Sequence, residues 1–192
     1  MRKVCRMWLH SIGIVLAATT VVAQAPPKAP EPDSTQAAIV RALSAAPAAV
    51  SARAAVAEMD DSGHLTMIRS GDNGWTCLPH DPGTPLGHPL CLDRNGLTWL
   101  EAAMTGKAPG PALVGYSYML RGGSVWSNTD PTAMALPAGE KSYVTIPPHF
   151  MVFNARLAHG SGFPSGEAHP DTHKPFVMYG GTPFALLIFP ME

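Results

Sequence analysis

Charge is scarce in this chain and balanced: 13 Lys and Arg face 14 Asp and Glu among 192 residues. No run of like charges breaks that balance, which excludes a nucleic-acid surface or a polybasic membrane patch. Cysteine is scarcer still, at three, and none stands in a Cys-x-x-Cys redox pair. The nucleophile-elbow pattern Gly-x-Ser-x-Gly is missing, because Gly115-Tyr-Ser117-Tyr runs into Met119. No glycine loop of the dinucleotide or phosphate-binding type appears. Internal repeats are absent. Gly and Pro together make up about a fifth of the residues, short of the level that signals disorder.

What is present is apolar: 46% of the residues, enough for a core at a length that suits one domain. The first residues are an address. Arg2, Lys3 and Arg6 precede an uncharged stretch from Met7 to Pro27 whose apolar centre is Ile12 to Ala18. A basic start, a short apolar segment and small residues form a secretory signal. Cleavage fits after Ala23 or after Ala25, and the first is preferred because the second leaves Pro26 next to the scissile bond. The rival reading, an uncleaved anchor, is weakened by Thr19, Thr20 and Gln24, which dilute the segment. No Cys follows it, so a lipid anchor has no support. Residues 1–23 are therefore read as signal, 24–33 as a proline-rich linker and 34–192 as a single globular domain. Without the signal, 10 basic residues face 14 acids and the net charge is near −4. No stable membrane insertion after cleavage and no nucleic-acid partner are expected.

Export leaves Cys77 and Cys91 as the only pair, 14 residues apart across a Pro/Gly-rich loop. In an oxidising compartment they most simply form one disulfide, worth ~3 kcal/mol by chain-entropy bookkeeping. Two free thiols or a redox pair are the rival readings. Along the chain, Asp33 and Gln36 suggest a capping box, and Ile39, Val40 and Leu43 an apolar stripe on a helix ending near Ala46. Strands are expected around Leu65–Ile68, Trp75–Leu78, Leu113–Leu120 and His149–Phe153. Asp93 caps a second helix carrying Leu97, Leu100 and Met104. Residues 121–141 and 155–174 read as loop. Phe176–Tyr179 and Phe184–Phe189 read as a hairpin, apolar on both faces and so central in a covered sheet. The expected fold is α+β: a mainly antiparallel sheet of five or six strands, two helices on one side and one disulfide.

Several blocks carry a resemblance: Gly-Asp-Asn-Gly-Trp-Thr-Cys-Leu-Pro at 71–79, Cys-Leu-Asp at 91–93, Tyr-Ser-Tyr-Met-Leu-Arg-Gly-Gly-Ser at 116–124, Ser-Asn-Thr-Asp-Pro at 127–131, Pro-Pro-His-Phe-Met-Val at 147–152 and Met-Tyr-Gly-Gly-Thr-Pro-Phe at 178–184. Together they resemble a group of small exported bacterial proteins of unknown function, over residues 52–190. The resemblance implies export, a single domain and strand rather than helix for 52–59. It brings no activity, substrate or cofactor.

Three constellations could carry chemistry. His169, Asp171 and His173 stand at alternate positions and would share one side of an extended segment, as metal ligands might require. Pro170 and Pro175 place them in a polar loop, however, and no metal or other cofactor is expected. The methionines, such as Met67, Met104 and Met178, read as core rather than as copper ligands. For hydrolysis, His159 beside Ser161 is sequence proximity only, and Asp60-Asp61 lies in a turn. The remaining constellation is a binding surface of Tyr116, Tyr118, Arg121, Ser124, Asn128 and Asp130, where glycines permit close approach of a polar ligand. The plainer account is a turn in which Asn128 or Asp130 bonds its own backbone, with the tyrosines and Trp75 in the core. The sequence thus reads as an exported, non-catalytic accessory or binding protein. The alternative is a small hydrolytic or metal-dependent enzyme using the His149, His169 and His173 region.

Overall fold

The computed structural model describes residues 34–60, 63–79 and 87–191. Residues 1–33, read as signal and linker and holding the expected Asp33 cap, residues 61–62 of a turn and residues 80–86 of the 79–89 loop lie outside the described residues. In chain order the elements are α1 (Thr35–Leu43), α2 (Ala48–Ser51), β1 (Ala55–Met59), β2 (Leu65–Arg69), β3 (Trp75–Leu78), β4 (Leu90–Asp93) and α3 (Arg94–Met104). Then follow β5 (Gly115–Met119), β6 (Gly123–Val125), β7 (Val144–Ile146), β8 (His149–Phe153), α4 (Ala155–Gly160), β9 (Phe176–Met178) and β10 (Leu186–Pro190). The fold is α+β. Residues 55–59 are strand, while 52–54, expected with them, form the turn after α2.

Eight strands form one sheet in the order β2-β1-β3-β4-β5-β8-β10-β9, and β6 and β7 pair separately. Every described ladder is antiparallel except β1 with β3. The count of five or six strands is therefore too low: β4, only four residues between a Pro/Gly-rich loop and the Asp93 cap, adds to the main sheet, and β6 and β7, three residues each, form a second one. Residues 121–141 and 155–174, read as loop, hold β6 and α4. The hairpin β9–β10 exists, but β9 is an edge strand rather than a central one. Its residues are buried because the preceding loop runs alongside: the Val177 amide donates to the Pro164 carbonyl at 2.8 Å. Covering by a loop mimics a central position in the pattern of apolar residues.

Register partners share a face, so the ladders sort the core. Leu92, Ser117, Met151 and Ile188 lie on one face; Cys91, Tyr118, Phe150 and Phe189 on the other. On the first, α3 packs Trp99 against Phe153 (ring centroids 4.6 Å apart) and Phe184, and Val144 and Ile146 of β7 complete the cluster. On the second, Ala42, Ala45 and Ala46 pack on Val56 and the Cys77–Cys91 disulfide, whose cysteines are direct register partners. Helix α4 covers β10 on that same face through Ala158, Ala185 and Leu187. Helices thus cover both faces rather than one, since helical periodicity tells how a helix is sided but not which sheet face it meets.

Helix starts follow their caps. Asp93 accepts from the Gly96 amide at 2.7 Å and Asn154 from the Leu157 amide at 2.8 Å. For α1 the cap is Ser34, which accepts from the Ala37 amide at 3.1 Å. The helix buries Ala38 and Ala42, while Val40 is 56% exposed. Of the expected Ile39-Val40-Leu43 stripe, Ile39 and Leu43 pack against the alanine and disulfide cluster, while Val40 turns away from it. Met67 and Met104, expected in the core, are exposed. No helix among the described residues is long and apolar enough to cross a membrane.

Candidate functional site

The side of α1 that turns away from the disulfide lines an open groove. Ala37, Val40, Arg41 and Ser44 stand at i, i+3, i+4 and i+7, one stripe of the helix, and form one wall. Pro89, just before β4, and Arg121, just after β5, form the other, around a cavity of about 530 Å³. The Leu120 amide donates to the Ala45 carbonyl at 2.9 Å, which ties the end of β5 to the segment after α1 and so sets Arg121 opposite Arg41. Beyond it the chain turns through Gly122, whose φ of 72° suits glycine.

Electrostatically the groove is basic within an acidic chain. Arg41 and Arg121 form no salt bridge among the described residues. The Arg41 Nε is buried and has no hydrogen-bond partner among the described residues. A buried donor left unpaired carries a desolvation cost of about 1–3 kcal/mol, which an incoming anion would relieve. Ser44 is occupied, its hydroxyl donating to the Arg41 carbonyl at 2.7 Å. Among the described residues the lining holds no carboxylate, histidine or cysteine. Such a groove can hold an anionic group with an aliphatic neighbour against Val40 and Pro89.

The six residues expected to form a binding surface do not converge. Only Arg121 reaches the groove. Tyr116 and Tyr118 belong to an aromatic row along the second sheet face, with centroids at 5.5 Å for Trp75–Tyr118, 4.8 Å for Tyr118–Phe150 and 5.9 Å for Tyr116–Phe150. Tyr116 is 40% exposed, whereas Tyr118 and Trp75 pack into the disulfide cluster. Ser124 on β6 meets Thr145 on β7, oxygen to oxygen, at 3.3 Å. Asn128 is buried and donates from Nδ2 to the Glu167 carbonyl at 2.7 Å, while its own carbonyl accepts from the Tyr179 amide at 2.8 Å. Asp130 accepts from the Thr132 amide and hydroxyl at 2.8 and 2.7 Å, which holds its carboxyl below the usual range. Asp130 therefore makes the local turn of the plainer reading, and Asn128 is a long-range latch.

Tyr179, the residue that Asn128 latches, adopts φ 57°, a region L residues rarely enter. Burial, with a contribution from the Asp130 charge, pushes its phenol up to about 12.

The histidines are also dispersed. His169 Nε2 meets Glu140 Oε2 at 2.5 Å; Asp171 pairs with Lys174 at 2.8 Å and accepts from the His173 amide at 3.1 Å. Thus His169 and Asp171 each face another partner. His149 is 1% exposed on the α3 face of the sheet, far from solvent, and burial pulls its imidazole below 6.5. Ser117 is buried with a hydroxyl that has no partner. No group of three or more His, Cys, Asp or Glu side chains suited to a metal occurs among the described residues.

Arg41 went unnoticed in the sequence reading. The signal lay in the alanine stripe: if Ala38, Ala42 and Ala45 face the core, then 37, 40, 41 and 44 must face out together. No family model, curated protein or solved structure matches the chain.

Proposed function

We propose that this is an exported, non-catalytic binding protein whose groove between α1 and the ends of β4 and β5 takes the anionic end of a ligand. One observation carries the reading: the buried Arg41 Nε lacks a partner among the described residues and shares a cavity with Arg121. Two guanidiniums provide charge-assisted donors for a carboxylate or phosphate, and guanidinium geometry suits both. Val40 and Pro89 add apolar wall, so the ligand has an aliphatic portion next to its charge. Export is supported by the basic-then-apolar start of the chain, the Cys77–Cys91 disulfide and the resemblance of residues 52–190 to exported proteins.

Calorimetric titration separates the chemistries. Octanoate represents an aliphatic carboxylate and inorganic phosphate a bare anion. Octanoate should bind, and Arg41→Gln and Arg121→Gln should each weaken it by about ten-fold, the loss of ~1.4 kcal/mol. Binding of phosphate alone would remove the apolar part of the reading. Absence of binding by both, or affinities unmoved in both variants, would end it.

A further inference from the structure

The eight-stranded sheet ends in two unlike edges. β9 is bordered by the loop before it, where the Val177 amide donates to the Pro164 carbonyl at 2.8 Å. At the other end, β2 has β1 as its only strand neighbour among the described residues. Its sequence, Leu65-Thr66-Met67-Ile68-Arg69, holds no proline and carries its one charge at the last residue. Edge strands are usually blunted by prolines and charges, and one without them in its middle is a template for a further strand.

The hairpin decides which backbone groups β2 offers. The Asp60 amide donates to the His64 carbonyl at 3.0 Å, so 60 and 64 form a hydrogen-bonded pair. Such pairs alternate along an antiparallel ladder. Glu58 and Thr66 are then the next bonded pair, whereas Met59–Leu65 and Ala57–Met67 are not bonded. Leu65 and Met67 therefore direct amide and carbonyl outward, away from β1. The ladder shifts register between Val56 and Ala57, which bounds this regular stretch at Met67. The side chains of the same two residues lie on the α3 face, since Ala57, the register partner of Met67, belongs to the Trp99 cluster and Leu65 packs against it. Met67 is nevertheless 55% exposed, as is 44% of Met104 at the end of α3. A Cβ on Gly63, two residues before β2, would stand 3.4 Å from the Met104 Cβ, so both methionines border one margin of the sheet.

We infer that this edge takes a second copy of the chain, with the two β2 strands antiparallel about a two-fold axis at Thr66. In that register Leu65 of each copy stands opposite Met67 of the other, and their outward amides and carbonyls make four main-chain bonds. Thr66 faces Thr66, a favourable cross-strand pair, and His64 faces Ile68, so no charge meets its like. Gly63 falls opposite Arg69, which carries the turn opening at Asp60 of each copy toward the Arg69 of the other. Arg69 donates to the Ala52 carbonyl at 2.5 Å and forms no salt bridge among the described residues. On the α3 face, Leu65 and Met67 of both copies close into one apolar strip, with Met104 beside it. Because β9 is covered, pairing stops at two copies instead of growing into a filament. This surface is separate from the arginine groove, and the inference does not rest on that reading.

Sedimentation equilibrium of the purified protein over roughly 1 μM to 1 mM, the range of a small interface, should show monomer passing to dimer and nothing larger. Thr66→Lys and Thr66→Glu each set like charges across the axis and should weaken association by about ten-fold or more. Thr66 is exposed, so circular dichroism should stay unchanged in both. An equimolar mixture of the two variants should associate at least as well as the parent, because Lys then faces Glu. Amide hydrogen exchange should slow at Leu65 and Met67 as concentration rises. A monomer at every concentration, larger assemblies, undiminished association in both variants, or a mixture no better than either variant alone would each overturn the inference. So would Leu65 and Met67 amides already protected at the lowest concentration, the sign that another part of the same chain covers the edge.

Discussion

Replacing Gly115 by alanine tests how α3 is seated on the sheet. The first turn of α3 crosses the start of β5 almost in backbone contact. A Cβ at 115 would fall 2.7 Å from the Asn95 carbonyl carbon and 2.8 Å from the Gly96 Cα. A Cβ at 96 would fall 2.7 Å from the Tyr116 carbonyl oxygen. Those neighbours are main chain, so no rotamer can yield. Nor can the helix end drift, because Asp93 Oδ1 accepts from both the Gly96 amide (2.7 Å) and the Tyr116 amide (2.9 Å). Asn95 adds a bond from Nδ2 to the Val114 carbonyl at 2.7 Å.

The added methyl must therefore lift α3, and lifting α3 loosens the stack of Trp99 on Phe153. Overpacking of this kind costs typically 1–3 kcal/mol, and a rigid backbone on both sides puts Gly115→Ala at the upper end, about 3 kcal/mol. For a chain of this size that lowers the Tm by roughly 6–12 °C. Urea unfolding followed by near-ultraviolet circular dichroism, which reads Trp99, measures it. Gly110→Ala is the control: nothing lies within 4 Å of its Cβ and its φ is not positive. It should change stability by no more than about 0.5 kcal/mol. A loss at Gly115 below about 1 kcal/mol, or one matched by Gly110→Ala, would refute the close-contact account.

Trp99→Ala should cost about 3–5 kcal/mol in urea unfolding, the usual loss for a buried aromatic; a value under about 2 would mean that the cluster with Phe153 and Phe184 closes over the gap. Reducing Cys77–Cys91 should remove ~3 kcal/mol by the loop-entropy estimate, seen as a lower calorimetric Tm, and an unchanged Tm would deny the bridge a stabilising role. An NMR titration should place His149 below 6.5, since burial disfavours its charged form. Between that value and 6.5 the unfolded chain binds the extra proton, so this contribution to stability is complete above about 6.5 and is lost as pH falls toward the folded value. A His149 titration at or above 6.5 would contradict it.

Local rules made much of this fold legible, and each failure has a non-local cause. Asp93 was readable as a cap because the cap bond spans only three residues. Alternation marked β5 and β8, and the apolar runs marked β9 and β10. Edge or centre was not readable, because β9 is covered by a distant loop at Pro164. The site was harder. Tyr116 and Arg121 stand in one short segment, yet the sheet sends the tyrosine to its aromatic face and the arginine past its end. Arg41 meets Arg121 only because Leu120 hydrogen-bonds the chain after α1, a contact between residues 75 apart in sequence.

The sequence blocks that carry the resemblance mostly serve as latches. In 71–79, a Cβ on Gly71 would fall 2.7 Å from the Ala55 Cα. Next to it, Asp72 pairs with Arg53 at 2.8 Å, and Asn73 donates to the Val50 carbonyl at 2.7 Å while accepting from the Trp75 amide at 3.1 Å. Blocks 127–131 and 178–184 meet where the Tyr179 amide donates to Asn128. Those residues are engaged in holding elements together, and of them Asn128 keeps a buried Oδ1 with no partner among the described residues. In the groove, four of the six described lining residues come from α1 and its C-cap Ser44, ahead of residue 52 and outside the blocks. Arg121 is the exception, and it forms no salt bridge among the described residues. If the blocks set the scaffold and α1 sets the wall facing Arg121, exchanging Val40 should alter which aliphatic portion the groove accepts without loosening the sheet. Val40→Ala and Val40→Phe should then shift the preference among carboxylates of different chain length while leaving urea stability within about 0.5 kcal/mol, as befits an exposed position. A preference that stays fixed in both variants would place specificity elsewhere.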